Sequence, residues 1–110
     1  MAFDNALAER VQRALLDIPG ISEKRMFGGL AFMSGGYMFI GIAGDSLMAR
    51  VGPANWEEAL AEAHVRVMDF TGKSMRGYVF VDAAGLQDDA DLHRWIRRCM
   101  DFVNSLPPRE

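Results

Sequence analysis

Leu30-Ala31-Phe32-Met33-Ser34-Gly35-Gly36-Tyr37-Met38-Phe39-Ile40-Gly41-Ile42-Ala43-Gly44-Asp45-Ser46-Leu47-Met48-Ala49-Arg50-Val51 is the stretch that decides the fold. Its pattern has a period of two, as when successive residues point to opposite faces of a strand. Leu30 and Phe32 alternate with Ala31 and Met33, and Met38, Ile40 and Ile42 with Tyr37, Phe39, Gly41 and Ala43. Leu47, Ala49 and Val51 alternate in turn with Ser46, Met48 and Arg50. Ser34-Gly35-Gly36 and Gly44-Asp45 separate the runs, and glycine reaches the positive φ that tight hairpins need. Connections this short join antiparallel neighbours, because a parallel pair needs a crossover of roughly a dozen residues. With its lead-in from Lys24, the stretch predicts an antiparallel meander.

Upstream, Phe3, Leu7, Val11, Ala14, Leu15 and Ile18 recur at spacings of three and four, which places them on one stripe of a helix. Pro19-Gly20 ends it. Downstream, Gly52-Pro53 opens a second helix with proline in the first turn, where its missing N–H costs nothing. Trp56, Ala59, Leu60 and Ala63 form its apolar stripe, and Glu57, Glu58 and Glu62 face water. Two more strands, Val65 to Phe70 and Gly77 to Asp82, flank a loop of Thr71-Gly72-Lys73-Ser74-Met75-Arg76. Asp88, Asp89 and Asp91 suit the start of a third helix, opposite its partial positive charge. Leu92, Trp95, Ile96, Cys99, Val103 and Leu106 are its buried stripe, and Pro107-Pro108 stops it. The order α-β-β-β-α-β-β-α predicts a two-layer α+β domain, one antiparallel sheet with helices on one face. Residues 1–110 read as a single domain, since two would leave each half too small for a core.

Composition narrows the function classes. Half the residues are hydrophobic and a quarter charged, which is globular usage and excludes disorder. Fifteen acidic against twelve basic residues give a net charge of −3, which argues against a dedicated nucleic-acid binder. The single cysteine excludes an intramolecular disulfide and a cysteine-only metal cage. The first ten residues carry acid where a signal peptide needs a basic region. The longest apolar stretch, around Tyr37 to Ala43, falls short of the ~20 residues that span a bilayer. A cytoplasmic protein with no membrane contact is the expectation.

Motifs for chemistry are sparse. Gly72-Lys73-Ser74 looks like the end of a phosphate-binding loop, but that motif needs a glycine where Val67 stands and a helix after it. His64 and His93 each lack a second ligand at metal spacing. His93, one turn from Asp89, suits a local hydrogen bond or ion pair, and Cys99 within its apolar stripe reads as inert filler. No catalytic residues, metal or cofactor are expected.

Two features invite a functional reading. Lys24, Arg25, Arg50, Arg66, Lys73 and Arg76 fall in or beside strands. If the turns at Lys24-Arg25 and Lys73-Arg76 share one sheet end, they form a patch that holds an anion or an acidic partner. Protection of strand edges by positive charge is the competing account. The site candidates are Lys24, Arg25, Arg50, Lys73 and Arg76. The second feature is methionine, with Met26, Met33, Met38, Met48 and Met68 in or next to strands. Tyr37, Phe39, Met33 and Met48 oppose the positions assigned to the core. They make either an adaptable apolar face for a partner, or a sheet that curls and buries both sides.

Arg25-Met26-Phe27-Gly28-Gly29, Gly36-Tyr37-Met38-Phe39, Leu47-Met48-Ala49-Arg50-Val51, Gly72-Lys73-Ser74-Met75 with Tyr78, and Trp95 together resemble the TfoX/Sxy family, N-terminal domain. The resemblance runs from about Ala6 to Pro108. It implies an α+β fold of the secretion-chaperone-like kind, in agreement with the element order. It also implies regulation rather than catalysis: full-length members regulate natural competence and are thought to assist a cyclic-AMP receptor protein at certain promoters. They also carry a helical C-terminal domain, which lies outside the span of this resemblance. Arg25, Met26, Phe27, Gly28, Gly29, Gly72, Lys73 and Met75 are the signature positions it implies.

The expected function is therefore a small non-enzymatic regulatory or adaptor module that acts through protein contacts. Its expected partner is another protein or a second copy of itself in a homodimer. The alternative is accessory nucleic-acid or small-anion binding through the basic residues at strand ends.

Overall fold

Asp4 starts the first helix. In a computed structural model, which describes residues 3–26, 28–70 and 73–107, Asp4 is the N-cap of α1 (Asn5–Ala14). Its Oδ1 accepts from the N–H groups of Ala6 and Leu7 at 2.8 and 3.2 Å, satisfying two donors the first turn leaves unpaired. The helix is shorter than its apolar stripe suggested. Phe3 lies outside it and bridges to Gly44, while Leu15 and Ile18 follow in turns and still pack against the core.

The strands are β1 (Ile21–Met26), β2 (Gly29–Ser34), β3 (Tyr37–Ala43), β4 (Ser46–Arg50), β5 (Val65–Phe70) and β6 (Lys73–Val81). A single 3₁₀ turn at Pro53–Asn55 leads into α2 (Trp56–Leu60), and another at Ala83–Leu86 precedes α3 (Asp89–Asn104). The α+β class and the succession of helices and antiparallel blocks are as expected, with Ile21–Met26 adding a strand to the first block. β6 begins at Lys73, so the segment read as a loop is mostly strand. Asp88 stands at the N-cap of α3 but makes no side-chain cap bond; Asp89 and Asp91 lie in the first turn, where the helix dipole favours acid.

All strand pairs are antiparallel, in the order β1-β2-β3-β4-β6-β5. The register runs in rows across the sheet. Arg25, Leu30, Ile42, Leu47, Val81 and Val65 form one row, and its central members join Leu7, Val11, Leu92, Trp95 and Cys99 in the core. Lys24, Ala31, Gly41, Met48, Phe80 and Arg66 form a row on the opposite face.

That opposite face corrects the placing of Phe39 and bears out the account in which the sheet buries both sides at its centre. Phe39 belongs to the core and is fully buried. The pairing slips between Phe32↔Ile40 and Met33↔Met38, so Phe39 has no partner and the bulge lets it turn inward beside Ile40. Tyr37 also packs against the core. Met48 keeps its place opposite the core but is wholly buried, as are Ala31 and Met68 outside the main cluster. Gly41 leaves a gap that the Met48 Cε fills. The centre of this face is therefore closed, with Met33 and Met38 half-buried.

Candidate docking site

The basic candidates separate in space. β1 is an edge strand and β6 lies four strands away, about 19 Å at the usual strand spacing. Met26 pairs with Gly29 at the sheet end that holds the β3–β4 turn, whereas Phe70 pairs with Lys73 at the other end. Lys24-Arg25 and Lys73-Arg76 thus do not form one patch. Adjacent in a strand, Lys24 and Arg25 point to opposite faces, and Arg25 lies 5.8 Å from the Phe3 ring. Phe27 and Gly72, and the side chains of Met26 and Lys73, lie outside the described residues.

Arg50 and Arg76 do share the second end, but each is engaged with rings. The Arg50 guanidinium stands 5.4 Å from Tyr78, 5.4 Å from Phe102 and 5.6 Å from Tyr37, and its Nη1 donates to the Met38 carbonyl at 3.3 Å. Tyr37 Oη donates to the Pro107 carbonyl at 2.7 Å, so the cluster ties the sheet end to the segment after α3. Arg76 is exposed, 5.9 Å from the Trp56 ring, whose Nε1 donates to the Tyr78 carbonyl at 3.0 Å. Two of the signature glycines, Gly28 and Gly29, are structural: Gly28 adopts φ 72°, and a Cβ on Gly29 would overlap the Ile42 carbonyl oxygen. Met75 is half-buried in β6.

Other arginines are held by acids. Arg66 Nε donates to Asp82 Oδ1 at 2.8 Å, and this hydrogen bond holds the Asp82 carboxyl below its ordinary range. Ser46, buried, links the two through its hydroxyl. Glu62, read as facing water, instead joins the segment after α2 to α3 by accepting from Arg94 at 2.9 Å and Arg98 at 2.5 Å. Burial alone would push the Glu62 carboxyl up, but the hydrogen bonds and charge of Arg98 and Arg94 outweigh it and hold it low. Arg10 pairs with Asp89 at 3.1 Å, so Asp89 serves α1 rather than His93. Burial pushes the Cys99 thiol up to about 12, so it stays protonated and unreactive.

Arg13 and Arg97 differ from these neighbours. Neither has an acidic or ring partner among the described residues, and both are exposed. Arg97 stands on a groove of about 250 Å³ between the end of α1 and the middle of α3. Its floor is Ala14, Ile18, Ile96 and Met100, and His93, Arg97 and Asp101 form its rim. Arg13 borders the adjoining hollow, which His93 and Ala14 share. A larger hollow of about 550 Å³ lies between the Pro53–Asn55 turn and the end of α3. There the cation, Arg98, is already bound to Glu62, so the smaller groove is the better candidate. Sequence reading missed it because Arg13 and Arg97 are 84 positions apart and no strand pattern marks them.

Among the described residues no three His, Cys, Asp or Glu side chains gather to hold a metal ion, and no helix is long and apolar enough to cross a membrane. No curated protein and no solved structure matches the chain significantly. The profile of the TfoX N-terminal domain matches residues 13–103, a span that takes in every strand, α2 and most of α3. By that match the chain belongs to the TfoX N-terminal domain family.

Proposed function

We propose that this domain is a small regulatory adaptor that acts by holding a protein segment rather than by turning over a substrate. The α1–α3 groove is the observation that supports it: an apolar floor at the surface with two uncommitted arginines beside it. An apolar floor rewards burial of a partner's side chain, and the cations select which partner approaches. The family's association with transcription and competence regulation fits such a role.

A phosphate contact at the start of β6 is the second reading, favoured by the exposed Arg76, which has no acidic partner among the described residues. A photo-cross-linker placed at Arg97 or at Arg76 in living cells separates the two. The adaptor reading expects protein adducts from position 97 that Met100→Glu abolishes. Nucleic-acid adducts from position 76, with none of protein from position 97, would favour phosphate contact.

A further inference from the structure

We infer that the groove takes an acidic amphipathic helix with one bulky apolar anchor, an inference that rests on the adaptor reading above. Three observations converge. The first is charge: Arg10, Arg94 and Arg98 are neutralised by Asp89 and Glu62, while Arg13 and Arg97 are not. His93 stands between them on the rim without a hydrogen-bond partner among the described residues. This leaves local positive charge on a protein whose net charge is −3, so attraction of acid here opposes the overall field and marks one place.

The second is the backbone. The groove walls are α1, the turns after it, and α3. Helical N–H and C=O groups are already paired, so an extended peptide finds no strand edge to extend. A segment that pairs its own backbone, a helix, loses nothing on docking. His93 and Asp101 are eight residues apart on α3, roughly 12 Å along its axis, which two turns of a partner helix match.

The third is polarity. Asp101, which no arginine pairs with among the described residues, closes the groove at the end away from Arg13, whereas Asp89 beside Arg13 is already paired with Arg10. Acid is thus favoured beside Arg13, His93 and Arg97 and repelled at the other end. The occupant therefore carries its acidic residues toward one end, with a Leu, Met or Phe on the face that meets Ile18, Ile96 and Met100.

Selection from a random library of displayed peptides of about sixteen residues, four helical turns, tests this on the whole chain. The expected result is enrichment of sequences with clustered Asp or Glu and an apolar residue at helical spacing. Their affinity should fall at least tenfold on Arg13→Glu with Arg97→Glu, and be unchanged by Arg76→Glu. Both variants should melt as the parent does, since the replaced arginines are exposed. Enriched peptides without acid, or insensitive to the double reversal, would overturn the acidic helix and leave the adaptor reading standing. No enrichment over a blank surface would overturn both.

Discussion

The guanidinium of Arg50, the last residue of β4, stands 5.4 Å from the centre of the Phe102 ring in the last turn of α3. Tyr37 and Tyr78 flank the same cation from β3 and β6, so four elements meet on one charge that no carboxylate holds among the described residues. Rings attract a cation through their negative faces, and a flat guanidinium lies against several at once. Arg50→Ala should lower stability by about 1–2 kcal/mol in denaturant unfolding. Arg50→Lys should recover only part of this, because an ammonium lacks the planar surface. Equal stability of all three proteins would show the ring contacts to be idle.

Gly29 and Gly41 provide a contrast within the same pair of strands. A Cβ at Gly29 meets the backbone carbonyl of Ile42, whereas one at Gly41 first meets the end of the flexible Met48 side chain. Gly29→Ala should cost about 3 kcal/mol by forcing β2 from β3, and Gly41→Ala distinctly less because Met48 can turn aside. Thermal melts of the two variants check the order. The reverse order would contradict the packing described for the outer face.

Phe39→Glu should unfold the domain, since it buries a charge with no partner in the core at a cost of several kcal/mol. Phe39→Leu, which keeps the apolar character, should stay folded and lose roughly 1–2 kcal/mol. Circular dichroism distinguishes these outcomes. A folded Phe39→Glu protein would return Phe39 to the surface.

Glu62 makes stability depend on pH. Its carboxyl is held below the ordinary value by Arg98 and Arg94, so the folded state favours the ionised form. The contribution is present above the unfolded carboxylate range, near pH 4.5, and is lost as pH falls through the lower folded value. Arg94 is half exposed, so the effect is about 1 kcal/mol or less. Glu62→Gln should be less stable than the parent at pH 7 and converge with it in acid. A constant difference at every pH would remove Glu62 from the account.

Alternation from Leu30 to Val51 makes the antiparallel sheet legible, because period-two burial is a local property of the chain. The stripes of Leu7, Val11, Trp95 and Ile96 are equally local and lie in the core. Alternation misplaces Phe39 because a bulge is decided by how β3 pairs with β2, which the pattern does not record. Sign alone groups the basic turns, but strand order sends Lys24-Arg25 and Lys73-Arg76 to opposite ends. The groove is illegible for a related reason. What distinguishes Arg13 and Arg97 is that Glu62 and Asp89 engage other arginines, and that allocation exists only after the helices pack.

Chemical-shift mapping of the isotope-labelled protein, titrated with a peptide that survives selection, tests the groove most directly. The largest amide shifts are expected on Ala14, Ile18, His93, Arg97 and Met100, with Arg76 and Tyr78 unmoved. Shifts concentrated on β6 or on the β1 edge, with the α1–α3 groove silent, would contradict the docking site proposed for this domain.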